Sequence, residues 1–490
     1  MHMPPEISFH PVSRAAITDA EGRLGVLIDA GAGLDAAARR ADRAMKGALS
    51  RLLESDAFAR LDPGQTLSLA APAGLAAEAV VVTKLAGRPG DEAARRAGAA
   101  LARAAGGQAM TILAGARPEA AEIALGYALG AYRFSAYLTS PEAARPLAGA
   151  ARMLVTRPER RAGEAARGAA LSEGVWFARD LVNEPANILT TRDFADRLGA
   201  MEALGLEIEL LDEAALEALG MRALLAVAQG SAQPARVVAM RWRGGEGPPV
   251  ALVGKGVVFD TGGISIKPAQ GMEAMIADMA GAAAVAGTMR ALALSRAKAD
   301  VIGLVGLVEN MPDGAAQRPG DILRTMKGDT VEIISTDAEG RMVLADLLWH
   351  AAQHYRPAAI VDLATLTGAM VMALGAQRAG LFATNEALAG DLLAAADRAG
   401  EGLWRMPLDG AYDEALKSRR ADVKNSGGRE AGAVTAARFL SRFVPGGVPW
   451  AHLDIAGVAD RKSARGVEPE GATGWGVRTL EAFIRARAGG

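Results

Sequence analysis

Apolar positions in the first 150 or so residues fall into short runs separated by alanine-rich stretches. β-like runs at Ala79–Thr83 and Met110–Ala114 alternate with helical patterns at Gly90–Ala105 and Glu119–Tyr132. That alternation predicts an α/β domain, and no convergent set of polar residues stands out in it. Thr156–Arg167 is rich in Arg and Glu and predicts the start of a connecting helix, which runs into Leu171–Leu181 and meets the turn signal Asn183-Glu184-Pro185-Ala186-Asn187. The boundary is placed near residues 155–185: an N-terminal domain over 1–155, a linker helix over 156–185 and a larger domain over 186–490.

The second part is more regular. Strand-like runs occur at Val250–Val253, Val301–Val308, Val331–Ser335 and Ala359–Leu363, with helical patterns at Met272–Ala293 and Met342–His354. Strands alternating with helices imply a mainly parallel sheet covered on both faces. Ligands bind such sheets beyond the carboxyl ends of the strands, which is where the polar residues of interest fall.

Composition then removes competitors. A chain of 490 residues exceeds what one core usually supports, in line with two domains. Half the residues are apolar and 22% are charged, the balance of a globular protein. A formal net charge of −2 gives no global footprint for nucleic acid, and the basic run Arg157, Arg160 and Arg161 reads as a solvated linker. Cysteine is absent, which excludes disulfides, thiolate zinc sites and a cysteine nucleophile. The opening MHMPPEISFH lacks a basic region followed by an apolar one, and no apolar run reaches the ~18 residues of a membrane span. A cytoplasmic protein without membrane attachment is expected.

Three segments carry candidate chemistry. In Val253–Lys267, the residues Lys255, Asp260 and Lys267 interrupt a stretch that otherwise reads as buried, and such charges are rarely buried unless paired or metal-bound. The segment fits neither a P-loop, since Gly256 stands where Ser or Thr is required, nor a dinucleotide fingerprint, since Phe259 replaces the third glycine. Asp278 lies in an apolar stretch rich in Met and Ala, so it wants a cation unless it faces solvent. In Ser335–Arg341, period-two spacing of an extended loop would turn Asp337, Glu339 and Arg341 to one side. Two close carboxylates repel unless a cation separates them, and a dinuclear site needs carboxylates bridging ions ~3.5–4 Å apart. Asp260, Asp278, Asp337 and Glu339 supply four, and Lys255 could add a neutral amine. A helix N-terminus decorated with acids would explain Asp337 and Glu339 alone. His350 and His354 share a helix face but lack the glutamate of zinc-protease helices, so they read as structural, as does His452. No Gly-x-Ser-x-Gly elbow supports a serine nucleophile.

Together these stretches resemble the leucyl aminopeptidase (cytosol aminopeptidase) family of metallopeptidases. The nearest match is Thr336-Asp337-Ala338-Glu339-Gly340-Arg341, supported by Val253–Lys267, ENMPDGAAQRPG at 309–320, DLATLTGA at 362–369, NSGGREAGAVTAARFL at 425–440, WAHLDIAG at 450–457 and GATGWGV at 471–477. The resemblance covers roughly residues 180–490 and is only architectural before 150. It implies a smaller N-terminal three-layer α/β domain (oligomerisation or regulation) and a larger zinc-peptidase-like domain with a mainly parallel mixed sheet flanked by helices. It implies two divalent ions, Mn2+ or Zn2+, with Asp260 and Glu339 bridging, Lys255 and Asp278 completing the tight site and Asp337 the exchangeable one. Lys267 would polarise the scissile carbonyl, and Arg341 would anchor a bicarbonate acting as general base. Met275, Thr365, Leu366, Gly368 and Ala456 would bind substrate. A homohexamer releasing leucine and other, mostly apolar, N-terminal residues from peptides is implied.

Two departures, Ser335 for Asn and Met342 for Leu, remove no ligand, while Ala459 stands where some relatives carry a bulkier residue. Other readings are a hydrolase of small dipeptides such as Cys-Gly, and a DNA-binding or regulatory protein keeping this fold. Near-balanced charge and a full ligand set weigh against the second.

Overall fold

The computed structural model describes residues 2–87 and 89–489. The chain divides into two compact units, one of residues 1–176 with 463–470, the other of 177–462 with 471–490. The expected linker is one helix, Pro158–Asn183, and the division falls within it.

The first unit is built on β1 (Ile7–Pro11), β2 (Arg23–Asp29), β3 (Thr66–Ala70), β4 (Ala79–Leu85), β5 (Met110–Gly115) and β6 (Ala151–Val155). Their order is β1-β6-β5-β2-β4-β3, parallel except for β3 against β4. Alternation along the strands feeds two cores. Leu24, Val26, Ile28, Val80 and Val82 pack with residues of helices Ala36–Ala44 and Ala48–Leu53. Leu27, Val81, Ile112 and Met153 pack with helices Asp91–Ala104 and Ala120–Gly130. The unit therefore has three layers.

The second unit carries β7 (Glu207–Leu211), β8 (Arg236–Arg243), β9 (Val250–Asp260), β10 (Asp300–Asn310), β11 (Ile322–Arg324), β12 (Thr330–Glu332), β13 (Ala359–Ala364), β14 (Ala379–Ala383), β15 (Leu403–Arg405), β16 (Val423–Lys424) and β17 (Trp450–Asp454). Eight of them form one mixed sheet in the order β15-β14-β17-β13-β9-β10-β8-β7. The centre, β17-β13-β9-β10, is parallel. These strands are buried on both faces, hence their unbroken apolar runs.

Helix Ala280–Leu294 lies so close to β9 and β13 that a Cβ on Gly254 would stand 2.6 Å from the Cα of Ala282, and one on Gly281 2.1 Å from the Leu363 carbonyl oxygen. Successive strand residues face opposite sides, so Lys255, next to Gly254, faces the other way. There it meets helix Gly340–His350.

Two elements depart from expectation. Met272–Ala293 is a tight 3₁₀ turn, Met272–Ala277, followed by the helix from Ala280, with Asp278 at the junction. Val331–Ser335 is not one strand: β12 stops at Glu332, and Ile334 and Ser335 give their backbone N–H groups to the Asn425 side chain instead (2.8 and 3.3 Å). His350 and His354 stack with ring centroids 5.1 Å apart beside Tyr355, a packing role, and burial pushes His350 down to about 4. Among the described residues no helix is long and apolar enough to cross a membrane.

Candidate metal centre

The polar residues collect at the carboxyl ends of β9, β10, β13 and β17. Lys255 lies inside β9, and Asp260 ends it. Asp278 closes the 3₁₀ turn, its backbone N–H bonded to the carbonyl of Met275 (3.2 Å). Glu339 stands just before helix Gly340–His350, with Arg341 in its first turn. Thr365, Leu366 and Gly368 follow β13, and Ala456 follows β17.

One ligand oxygen from each of Asp260, Asp337 and Glu339 lies within 4.8 Å of the other two. The convergence does not come from an extended loop. Thr336 and Asp337 form a turn, after which the helix begins, and this turn rather than period-two alternation sets Asp337 beside Glu339. Lys255 Nζ donates to Asp278 Oδ1 (2.8 Å) and to the Thr365 carbonyl (3.0 Å), and pairs with Glu339 Oε1 at 2.7 Å. Lys267 Nζ pairs with Asp260 Oδ2 at 2.8 Å and with Asp337 Oδ1. Thr365 Oγ1 donates to Asp278 Oδ1 at 2.8 Å.

All but Asp337 among the four carboxylates are buried; its side chain keeps 38% exposure. Four carboxylates against two lysines leave a deficit of positive charge in a largely buried site. Burial, followed by repulsion from Glu339, raises the Asp260 carboxyl, and burial raises those of Asp278 and Asp337. Burial works against the Lys255 ammonium, but Asp278, Glu339 and Asp260 outweigh it and hold its pKa above the ordinary lysine value. Among the described residues Asp278 Oδ2 is buried without a hydrogen-bond partner. A hard divalent cation answers each feature: the oxygen-rich donor set, the charge deficit and the orphaned oxygen. The donors fit metal ions.

The family model described as "Cytosol aminopeptidase family, catalytic domain" matches residues 176–481, and that for the family's N-terminal domain matches residues 25–141. This chain belongs to the cytosol aminopeptidase family. A probable cytosol aminopeptidase of Cereibacter sphaeroides is 53% identical over 487 residues, covering 99% of each chain. That of Dinoroseobacter shibae is 53% identical over 480 residues, covering 98% of each. Among solved structures, the bottromycin maturation enzyme BotP in complex with Mn aligns with a TM-score of 0.84 at 38% identity, covering 96% of this chain and 100% of that one. The chain is a metal-dependent aminopeptidase, an enzyme that removes N-terminal residues from peptides.

Several groups that hold this aminopeptidase site together lie inside the motifs quoted above, yet residue type and local spacing do not reveal the bonds they make. Asn310, paired in register with Asp260, donates from Nδ2 to Asp260 Oδ1 (2.7 Å) and to the Thr336 carbonyl (3.1 Å), joining the β9 end to the Asp337 turn. Thr336 Oγ1 donates to the Gly262 carbonyl at 2.6 Å and accepts from the Ser265 N–H at 2.7 Å. Gly262 at φ 88° must be glycine: a Cβ there would meet the Ser265 carbonyl at 2.5 Å and Asp337 Oδ1 at 2.8 Å. Asn425 spans the turn from the other side, its Nδ2 donating to the Ser335 carbonyl (2.7 Å) and its own carbonyl accepting from Arg341 Nη1 (2.8 Å). Burial pushes the Arg341 guanidinium down to about 10, and its Nε lacks a partner among the described residues. His452 is a core residue, bonded through Nδ1 to Asp362 (2.6 Å), whose other oxygen accepts from Trp450 Nε1 (2.7 Å). The ties of Asn310 and Asn425 to this turn cross 26 to 91 positions of sequence, so no local spacing announces them.

Proposed function

We propose that this enzyme releases apolar N-terminal residues, leucine foremost, at a site of two divalent ions held by Lys255, Asp260, Asp278, Asp337 and Glu339. Mn2+ and Zn2+ both suit oxygen donors with one amine, and the likeness to BotP, whose structure is a complex with Mn, favours Mn2+. When bound, the ions lower the pKa of a water and supply a nucleophile near neutral pH. The observation that carries this reading is the triad of Asp260, Asp337 and Glu339 oxygens within 4.8 Å, flanked by two lysine ammoniums.

The remaining residues then take distinct tasks. Lys255 would join the set as a neutral amine and would have to release its proton for metal to bind. Lys267, with 21% of its side chain exposed, can leave its carboxylate partners for the scissile carbonyl and stabilise the developing oxyanion. Arg341, buried and with an Nε that has no partner among the described residues, would hold a bicarbonate, which would supply a general base. Met275, Thr365, Leu366, Gly368 and Ala456 wall the pocket of the first residue. Ala459, buried in the turn that carries Ala456, is smaller than the residue some relatives carry there, which bears on the side chain accepted. Residues 186–490 act as the catalytic domain and 1–155 as an assembly or regulatory domain of a cytoplasmic homohexamer.

Turnover of leucine amide by Mn2+-loaded enzyme, lost on chelation and in Glu339→Ala, tests the reading. Full turnover by Glu339→Ala would sink the bridging role. Faster hydrolysis of Cys-Gly than of longer peptides would move the preference to dipeptides.

A further inference from the structure

We propose that Asp454 is the positioning residue that fixes both walls of the first-residue pocket, an inference that rests on the pocket assignment above. Asp454 is the last residue of β17, is 0% exposed, and stands in register with Ala364, the last residue of β13. The loops that follow these two neighbouring parallel strands both carry pocket residues. Its carboxylate joins them. Oδ1 accepts from the Leu366 N–H (3.3 Å) on one loop and from the Ala456 N–H (3.2 Å) on the other, while Oδ2 accepts from Thr367 Oγ1 (2.7 Å).

These bonds all end on the two loops and none on the surrounding scaffold. The first loop is also tied from the metal side, where the Thr365 carbonyl accepts from Lys255 and its hydroxyl donates to Asp278. Leu366 thus lies between two anchors, one of them Asp454, and Gly368 follows directly after the second. The second loop is tightly seated, since a Cβ on Gly457 would stand 2.1 Å from the Gly375 carbonyl oxygen at the end of helix Gly368–Leu374. Losing the carboxylate would leave two partly buried N–H groups and a buried hydroxyl without acceptors. The walls would then shift relative to each other while the metal donors kept their own ties. Asparagine keeps the shape and the shared Oδ1 acceptor, and its amide can donate to Thr367 Oγ1, whose hydroxyl can accept as well as donate.

The test is kcat and KM of full-length, Mn2+-loaded enzyme on leucine amide and glycine amide, with metal content measured in parallel. Asp454→Ala should lower the leucine-to-glycine ratio of kcat/KM by about tenfold or more, the scale on which apolar pockets discriminate. The loss should fall mainly on KM for leucine amide, with metal content unchanged. Asp454→Asn should restore the ratio to within about threefold of wild type, since its geometry is retained. Thr367→Val removes one of the three bonds and also the cap that Thr367 Oγ1 gives the Met370 N–H of helix Gly368–Leu374 (3.2 Å). Its ratio should fall between those of the two Asp454 variants, and a ratio unchanged from wild type decides against the proposal even if Asp454→Ala does not fold. An unchanged ratio with kcat evenly reduced in Asp454→Ala, or an unchanged ratio in Thr367→Val, would overturn the proposal, as would an Asp454→Asn ratio as low as that of alanine. Gly368→Val separates this failure from that of the pocket assignment. A Cβ there meets open space, so valine should cut leucine use more than glycine use. If it does so while the Asp454 ratios stay at wild type, only the role of Asp454 falls; if it does not, the pocket assignment falls and this inference with it.

Discussion

Gly340→Ala isolates the placement of Lys255 from its chemistry. Gly340 opens the helix that follows Glu339, and an alanine Cβ there would stand 2.7 Å from Lys255 Cε and 2.8 Å from both Cδ and Nζ. In an ordinary helix this exchange stabilises by about 1 kcal/mol. Here the side chain of Lys255 must retreat by about 1 Å to regain normal contact. It is buried and held by Asp278, Glu339 and the Thr365 carbonyl at 2.7–3.0 Å, so the retreat breaks at least one of those ties. Crowding of this kind costs about 1–3 kcal/mol, which the helical gain partly offsets, leaving a net loss of about 0–2 kcal/mol. Function should suffer more than stability, because a 1 Å misplacement at a reacting centre costs about 10²-fold in rate. The assay is kcat/KM on leucine 4-nitroanilide, with metal retained after dialysis and the melting temperature measured on the same samples. A variant that melts higher than wild type, with wild-type metal retention and turnover, would refute the reasoning.

Other outcomes follow from the same geometry. Lys267→Ala should lower kcat by about 10²–10³-fold, the scale of one oxyanion donor, while metal content stays at the wild-type level; equal loss of metal would make Lys267 a neighbour of the site only. Burial raises the carboxyl of Asp346, which accepts three backbone N–H bonds, to about 7, against about 3.9 in an unfolded chain. The folded state therefore keeps a proton that the unfolded state has released between about pH 4 and 7, so this group's contribution to stability falls as pH rises through that window, by at most about 4 kcal/mol. Denaturant midpoints across the window should lose that slope in Asp346→Asn, and an identical slope would contradict the assignment. Chelation should lower the melting temperature, since ligand at 100 times its Kd stabilises a folded protein by about 2.7 kcal/mol per site; an unmoved transition on stripping the metal would count against a preformed site.

How much of this is readable in the sequence depends on whether the signal is local. The parallel strands at the centre of the second sheet are legible because burial on both faces makes them continuous apolar runs, and β9, β10 and β13 fall where those runs predict. Lysine and aspartate within such runs stand out for the same reason, and the structure brings Lys255, Asp260, Asp278, Asp337 and Glu339 together. The end of β12 is misplaced because Asn425, about 90 residues downstream, supplies the bonds a neighbouring strand would have supplied. The insertion of β17 between β13 and β14 likewise has no local signature. Asn310, Asn425 and Asp454 act through hydrogen bonds to distant backbone, which residue type alone does not reveal. The excursion of residues 463–470 into the first unit is equally invisible, since nothing in its composition differs from a surface loop.

If the carboxylate cluster holds two ions and turnover needs both, metal stoichiometry and activity must rise together. Titration of chelator-stripped, full-length enzyme with Mn2+, following bound metal and leucine amide hydrolysis together, tests this most directly. Binding should saturate at two ions per chain, with hydrolysis reaching its plateau only at the second equivalent. A plateau at one equivalent, or full hydrolysis by stripped enzyme, would contradict it.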